Sequence, residues 1–97
     1  MAVSKKAKIG KNVKIGVDVT IEDGVVIGNN VFIGDWVVIR GGAKVGNSVE
    51  IGTDTLISYE AVIEDGVKIG CCAVVGDGRI VKAGSTVEPD AILESEL

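Results

Sequence analysis

The chain has 97 residues, which is enough for one domain but for only a modest core if the fold is an ordinary globule. Its 14 glycines, single proline and 3% aromatic residues fit neither a disordered chain nor a helix bundle, because glycine and the abundant valine and isoleucine weaken helices. The net charge of −4 argues against a general nucleic-acid-binding protein, which normally accumulates basic surface.

Hydrophobic residues recur every six positions along the chain without a slip. Each member of this first column is isoleucine or valine: Val3, Ile9, Ile15, Ile21, Ile27, Ile33, Ile39, Val45, Ile51, Ile57, Ile63, Ile69, Val75, Val81 and Val87. A second column, four residues after each of these, holds small or β-branched side chains, and only Arg79 breaks it. Because strand side chains alternate between two faces, each unit predicts a short strand with two inward residues and one outward residue between them.

The segments between these strands have the composition of turns. The residue after the aliphatic one is glycine in eight of the fifteen repeats, and the third residue after it is mostly Asn, Asp or Gly. We interpret both positions as turn positions that tolerate a left-handed backbone. Three strands joined by such turns close a triangle.

The repeat Ile27-Gly28-Asn29-Asn30-Val31-Phe32 resembles the hexapeptide-repeat superfamily of left-handed β-helices, typified by the UDP-N-acetylglucosamine acyltransferases. The family pattern is aliphatic, glycine, two free residues, small, free, and the resemblance covers residues 3–92. It implies an all-β fold, a left-handed parallel β-helix or triangular solenoid of about five 18-residue coils without loop insertions. We expect residues 1–97 to form a single domain of this kind.

The phase of the repeat predicts three outward columns, one for each flat face. Two of them carry charged residues, whereas the third shows Ala2, Thr20, Val38, Leu56, Val74 and Ile92, with Trp36 on the turn leading into it. Contiguous exposed apolar surface marks association sites, so we predict an interface formed by Trp36, Val38, Leu56, Val74 and Ile92. The alternative is that strand propensity alone placed these side chains at strand centres.

The resemblance implies a homotrimer with parallel prism axes, and a face-to-face dimer is the alternative. The two ends of the chain differ in charge: five lysines lie in the first fourteen residues, and four acids lie in the last ten. We interpret these charges as protection of open sheet edges against unwanted pairing, with head-to-tail stacking as the alternative.

The sequence contains no histidine. The resemblance implies a histidine general base in the acyltransferases and three histidine metal ligands in the related γ-class carbonic anhydrases, so neither site can be assembled from this sequence. We also expect no loop insertion of the kind that builds acceptor pockets in the family enzymes, because the repeat in this sequence never slips. The sequence contains no separate nucleotide-binding domain. We therefore expect no catalytic residues, no metal and no cofactor, with coenzyme A as the alternative cofactor.

The sequence contains four other candidate chemical sites. Cys71 and Cys72 have no neighbouring base, and we interpret them as incidental turn residues rather than as a nucleophile or metal site. The acidic pairs Glu22-Asp23 and Glu64-Asp65 precede glycine and are interpreted as turn chemistry rather than as a cation site or carboxylate dyad. Arg79 either extends to solvent or caps the end of the core, with a bound anion as the alternative.

The leading hypothesis is a non-catalytic β-helix scaffold or self-association module. The alternatives are a coenzyme A-dependent acyltransferase, or a fragment of one, with an unconventional site, and a protein-recognition module that uses its flat apolar face. We expect a cytoplasmic chain that binds neither nucleic acid nor membrane, because two adjacent cysteines make no disulfide framework and no segment has the length of a signal peptide or membrane span.

Overall fold

The computed structural model describes residues 2–96, which form sixteen two-residue strands in three parallel sheets and no helix. Sheet A contains β1 (Ala2–Val3), β4 (Thr20–Ile21), β7 (Val38–Ile39), β10 (Leu56–Ile57), β13 (Val74–Val75) and β16 (Ile92–Leu93). Sheet B contains β2 (Lys8–Ile9), β5 (Val26–Ile27), β8 (Lys44–Val45), β11 (Val62–Ile63) and β14 (Ile80–Val81). Sheet C contains β3 (Lys14–Ile15), β6 (Phe32–Ile33), β9 (Glu50–Ile51), β12 (Lys68–Ile69) and β15 (Thr86–Val87).

Strands that are eighteen residues apart pair in parallel, so eighteen residues make one coil. Leu56, for example, lies between Val38 of the preceding coil and Val74 of the following one. The chain thus winds through sheets A, B and C in turn for about five coils, with a strand in every repeat and no inserted loop. This confirms the predicted all-β solenoid.

The first and second columns form the core. Every column residue from Val19 to Val75 is at most 4% exposed, because each side chain is covered by the coils before and after it. Thr55 is the buried polar residue of this set, and its hydroxyl donates a hydrogen bond of 2.9 Å to the carbonyl of Gly70. The structure also adds a strand to the fifteen repeats read from the sequence, since Leu93 of β16 packs against the core.

Two different turn positions explain the glycine and asparagine pattern. The third residue after the aliphatic one has a positive φ in fourteen repeats, from 53° at Asp18 to 78° at Gly24. The glycines directly after the aliphatic residues, all of them described, do not adopt positive φ. A Cβ at Gly52 would lie 2.7 Å from the backbone N of Cys71 in the next coil, so glycine is needed there for close stacking. The left-handed interpretation is therefore correct for the third position and wrong for the glycine after the aliphatic residue.

Polar side chains link successive coils at the corner between sheets B and C. The backbone N–H of Lys11 donates to Oδ1 of Asn29, that of Asn29 to Oδ1 of Asn47, and that of Asn47 to Oδ1 of Asp65, at 2.7–2.8 Å. The corner residues therefore add a ladder of hydrogen bonds outside the sheets. None of the described residues belongs to a helix that could cross a lipid bilayer.

Candidate functional site

The three faces carry the outward residues that the phase of the repeat predicts, and they differ in polarity. Sheet B alternates lysine with aliphatic residues over its first four strands: Lys8, Val26, Lys44 and Val62. Sheet C carries an exposed ion pair, with the Lys68 amine 3.8 Å from the Glu50 carboxylate. Sheet A is apolar from its third strand to its sixth. Among the described faces, sheet A therefore offers the longest apolar column.

The apolar column of sheet A consists of Val38, Leu56, Val74 and Ile92, in direct parallel register. Val38, Leu56 and Val74 are partly exposed because each is flanked by its neighbours in the adjacent coils, whereas Ile92 on the last strand is 70% exposed. Parallel strands lie about 4.8 Å apart, so four such side chains form a stripe about 15 Å long. The stripe is a flat apolar surface of the kind that associates in water.

Trp36 lies on the turn that leads from sheet C into sheet A, as predicted. It has a φ of +59°, its side chain is 54% exposed, and its indole N–H donates to Oδ2 of Asp18 at 3.2 Å. Because a bulky residue in the left-handed region is costly, other interactions have to hold it there. The bond to Asp18 ties the indole along the corner, so its ring extends one edge of the stripe.

Tyr59 marks the opposite edge of the stripe, and the sequence analysis missed it. It lies on the turn that leaves sheet A directly after β10, and it is 49% exposed. The Arg40 guanidinium lies 5.9 Å from the centre of its ring and 2.9 Å from the Glu22 carboxylate. That carboxylate, with its hydrogen bond and its charge, raises the pKa of Arg40. Its position in the repeat could have indicated this location, because Tyr59 lies two residues after the inward Ile57, on the same coil as Leu56.

The acidic pairs serve the turns, as the sequence analysis interpreted them. Oε1 of Glu22 accepts the backbone N–H of Gly41 at 2.9 Å, and Oε1 of Glu64 accepts that of Ala83 at 3.0 Å. Both bonds reach the following coil in the same way. No group of three or more potential metal-ligating side chains occurs among residues 2–96.

Cys71 and Cys72 are free, exposed residues on the corner that leads into β13. Two effects raise the pKa of the Cys72 thiol. The larger is partial desolvation by the neighbouring residues of the corner, and the second is the hydrogen bond with Cys71. A raised pKa lowers the thiolate fraction, and the thiolate is the reactive form. This agrees with the interpretation of the cysteines as turn residues rather than nucleophiles.

Arg79 occupies a core-facing position of the last complete coil and extends to the end of the prism. Its Nε lies 3.3 Å from Oε1 of Glu96, and the Nη1 group of its guanidinium donates to the carbonyl of Glu94 at 3.4 Å. The structure therefore favours the interpretation that Arg79 caps the end of the core over the one in which it extends to solvent.

The repeat and the coil geometry have known counterparts. A family model described as bacterial transferase hexapeptide (six repeats) matches residues 6–41. The solved structure of soybean serine acetyltransferase apoenzyme is similar over 97% of this chain and 40% of that chain, at 27% identity and a TM-score of 0.69. The family match therefore covers the hexapeptide repeats of residues 6–41, and the structural similarity extends the same coil over nearly the whole chain.

Two further solved structures share the fold of this hexapeptide-repeat β-helix. A UDP-N-acetylglucosamine acyltransferase matches 98% of this chain and 33% of its own, at 23% identity and a TM-score of 0.70. A histidine-to-alanine mutant of GDP-perosamine N-acetyl transferase from Caulobacter crescentus, in complex with CoA and GDP-perosamine, matches 95% and 51%, at 23% identity and a TM-score of 0.69. The chain thus spans about half or less of the length of these proteins. No curated protein matches it.

Proposed function

We propose that this hexapeptide-repeat β-helix is a non-catalytic scaffold that associates with further copies of itself through the outward face of sheet A. The observation that carries the proposal is the unbroken stripe of Val38, Leu56, Val74 and Ile92 between two exposed aromatic residues, Trp36 and Tyr59. Aromatic residues are enriched at interfaces, because they bury large areas and can keep a polar atom at the rim.

The size of the face supports a second copy as the occupant. The described chain measures 28 × 23 × 22 Å, so one face of the prism presents about 500–600 Å². Two such faces bury about 1,000–1,200 Å² together, which reaches the about 1,000 Å² of the smallest biological interfaces and is below the about 1,600 Å² of a standard one. A flat, self-complementary apolar stripe suits either a face-to-face dimer or a trimer with parallel axes.

The chemistry of the chain supports a scaffold rather than a catalyst. The sequence offers no histidine as a general base. Glu22 and Glu64 accept hydrogen bonds from the backbone of the following coil, and the two cysteines are free turn residues. The competing function is coenzyme A-dependent acyl transfer, which the structure of the GDP-perosamine enzyme with bound CoA favours by analogy of fold.

The oligomeric state tests the proposal. In sedimentation at micromolar concentration we expect an oligomer, loss of that oligomer in Leu56→Lys, and its retention in the matched control Phe32→Lys, which adds the same charge to an exposed apolar position on sheet C. A monomeric wild-type chain, or equal effects of the two variants, would contradict it. Titration with acetyl-CoA should give no saturable heat; one-to-one binding would favour the acyltransferase alternative.

A further inference from the structure

The apolar stripe of sheet A has an orientation, because the sheet has two distinct directions. All of its strands run the same way, and its coils follow one another in one order along the prism. Two copies of such a face can meet about a two-fold axis that lies between them. An axis along the prism would bring each coil opposite its own counterpart, whereas an axis along the strands would reverse the order of the coils.

The second of these axes covers the stripe with itself when it passes between β10 and β13, at the midpoint of the stripe. Leu56 of one copy would then lie opposite Val74 of the other, and Val38 opposite Ile92. Each pair occurs twice by symmetry, so every member of both stripes is covered. Ile92, which is 70% exposed in the single chain, would lose the most contact with water.

The corner that leaves sheet A adds polar pairs in the same orientation. A two-fold axis along the strands keeps the strand direction, so this corner would face the same corner of the second copy. Arg40 would lie opposite Glu94, since each directly follows its strand, β7 or β16. Tyr59 would lie opposite Asp77, since each is the second residue after its strand, β10 or β13. A guanidinium pairs with a carboxylate, and a phenol hydroxyl donates to one.

These side chains are accessible and have bonding capacity left. The Arg40 side chain is 39% exposed and places Nη1 2.9 Å from Oε2 of Glu22, while a guanidinium has five N–H donors. The Tyr59 ring is half exposed. Oδ1 of Asp77 accepts the hydroxyl of Ser58, and a carboxylate has two oxygens. Both pairs would therefore form at the rim of the contact without breaking a bond that the single chain makes.

The corner that leads into sheet A is compatible with the same contact. Trp36 would lie opposite Asp90, next to the ring of Pro89, and Asp54 would lie opposite Cys72. Over the described coils from β7 to β16, no two groups of like charge occupy facing positions of the two corners. The exposed indole would cover the proline ring, so the aromatic edge of the stripe joins the contact.

Parallel prism axes give poorer charge complementarity. An axis along the prism would place the corner that leaves sheet A opposite the corner that leads into it on the same coil. Glu22 would then face Asp18, and Glu94 would face Asp90. Facing like charges disfavour association, whereas facing opposite charges favour it and fix the register. The reversed orientation replaces the second of these contacts with the pairing of Glu94 and Arg40.

We propose that sheet A binds a second copy of this chain with the two prism axes antiparallel, in a closed two-fold dimer. This inference rests on the proposed self-association through sheet A and names the orientation of the partner. The apolar pairs form the centre of the contact, and Arg40, Glu94, Tyr59 and Asp77 form its rim. The arrangement differs from the homotrimer that the resemblance implies, in which the prism axes are parallel.

A methyl contact between Val38 and Ile92 tests the orientation. Within one chain these residues are three strand spacings apart, about 14 Å, so their side chains do not touch. In a mixed sample, half of the chains carry labelled valine methyl groups and half carry labelled isoleucine methyl groups, so every valine–isoleucine contact is intermolecular. We expect the Val38–Ile92 contact in nuclear magnetic resonance spectra of this sample. An oligomer in sedimentation that lacks this contact would overturn the antiparallel dimer and leave self-association intact, whereas a monomer would contradict both.

An exchange of charges tests the rim. Arg40→Glu alone and Glu94→Arg alone should each raise the dimer dissociation constant about tenfold, because each places like charges opposite each other. Together they restore opposite charges, so the double variant should return to within about threefold of the unmodified chain. The matched control combines Lys68→Glu with Glu50→Lys, which exchanges an ion pair on sheet C and should leave the dissociation constant unchanged. Losses that add in the double variant would overturn the proposed orientation.

Discussion

The central and terminal coils contain the same residue types at the same phase of the repeat, yet they bury them differently. Ile39, on the seventh strand, is fully buried, whereas Ile9, on the second strand, is 37% exposed. The difference comes from coverage, since Ile39 has a coil on both sides and Ile9 has one on one side only. In this solenoid, burial and stability therefore depend on the neighbouring coils more than on the residue itself.

Truncation of aliphatic residues should show the largest contrast between the two regions. Ile39→Ala leaves a cavity in a closed core and should lower the free energy of unfolding by about 3–4 kcal/mol, whereas Ile9→Ala should cost about 1 kcal/mol. Urea unfolding at one fixed protein concentration measures both. Equal losses would contradict the dependence of burial on the neighbouring coils.

Substitution of the stacking glycines should give the next largest contrast. A Cβ at Gly52 meets the Cys71 backbone at a corner that has coils on both sides, so Gly52→Ala should cost about 2 kcal/mol. A Cβ at Gly76 would meet the backbone of Ser95, in the segment after the last described strand, which has no described coil beyond it. Gly76→Ala should therefore cost less than half as much in the same unfolding measurement. A larger loss at Gly76 would contradict this account of the ends.

The polar residues of the second column should show a smaller difference. Thr55→Val removes the hydroxyl that donates to the Gly70 carbonyl in a buried site, and it should cost about 1 kcal/mol. Ser85 occupies the equivalent position near the C-terminal end and is partly exposed, so Ser85→Ala should change thermal stability by less than about 0.5 kcal/mol. A stabilising Thr55→Val would show that the hydroxyl is not needed.

The smallest effect concerns Cys72, whose pKa is raised by burial, by Cys71 and by Asp90 and Asp54 in the coils on either side. In a Cys71→Ser chain, Cys72 should react with iodoacetamide more slowly when folded than when unfolded in urea, near the ordinary thiol pKa. Since the folded chain favours the protonated thiol, stability should fall slightly as pH rises above the unfolded pKa. Faster reaction of the folded chain would contradict the direction of the shift.

The fold was predictable from the sequence because every sixth residue obeys one rule, so a single phase assigns each side chain to the core or to one of three faces. The positions of Val38, Leu56 and Val74 on one face followed directly. The role of Tyr59 does not follow from the phase of the repeat, because turn residues lie outside the outward columns although the corners extend the faces. The close stacking that requires the glycines after the aliphatic residues could not be predicted either, because it depends on contact with residues eighteen or nineteen positions away in the next coil.

The ends could be predicted in charge but not in geometry. The lysines and acids are visible in the sequence, whereas the addition of β16 and the cap made by Glu96 over Ile80 and Arg79 depend on where the last coil stops. Whether sheet A binds further copies is a property of the assembled surface and stays a prediction.

The most direct test of the account is nuclear magnetic resonance of the chain with labelled isoleucine methyl groups. The eighteen-residue coil predicts methyl contacts between Ile21 and Ile39 and between Ile39 and Ile57, which lie in register on sheet A. Absence of these contacts, together with backbone contacts between residues three or four apart along the same segments, would contradict the coil and the face, core and ends that depend on it.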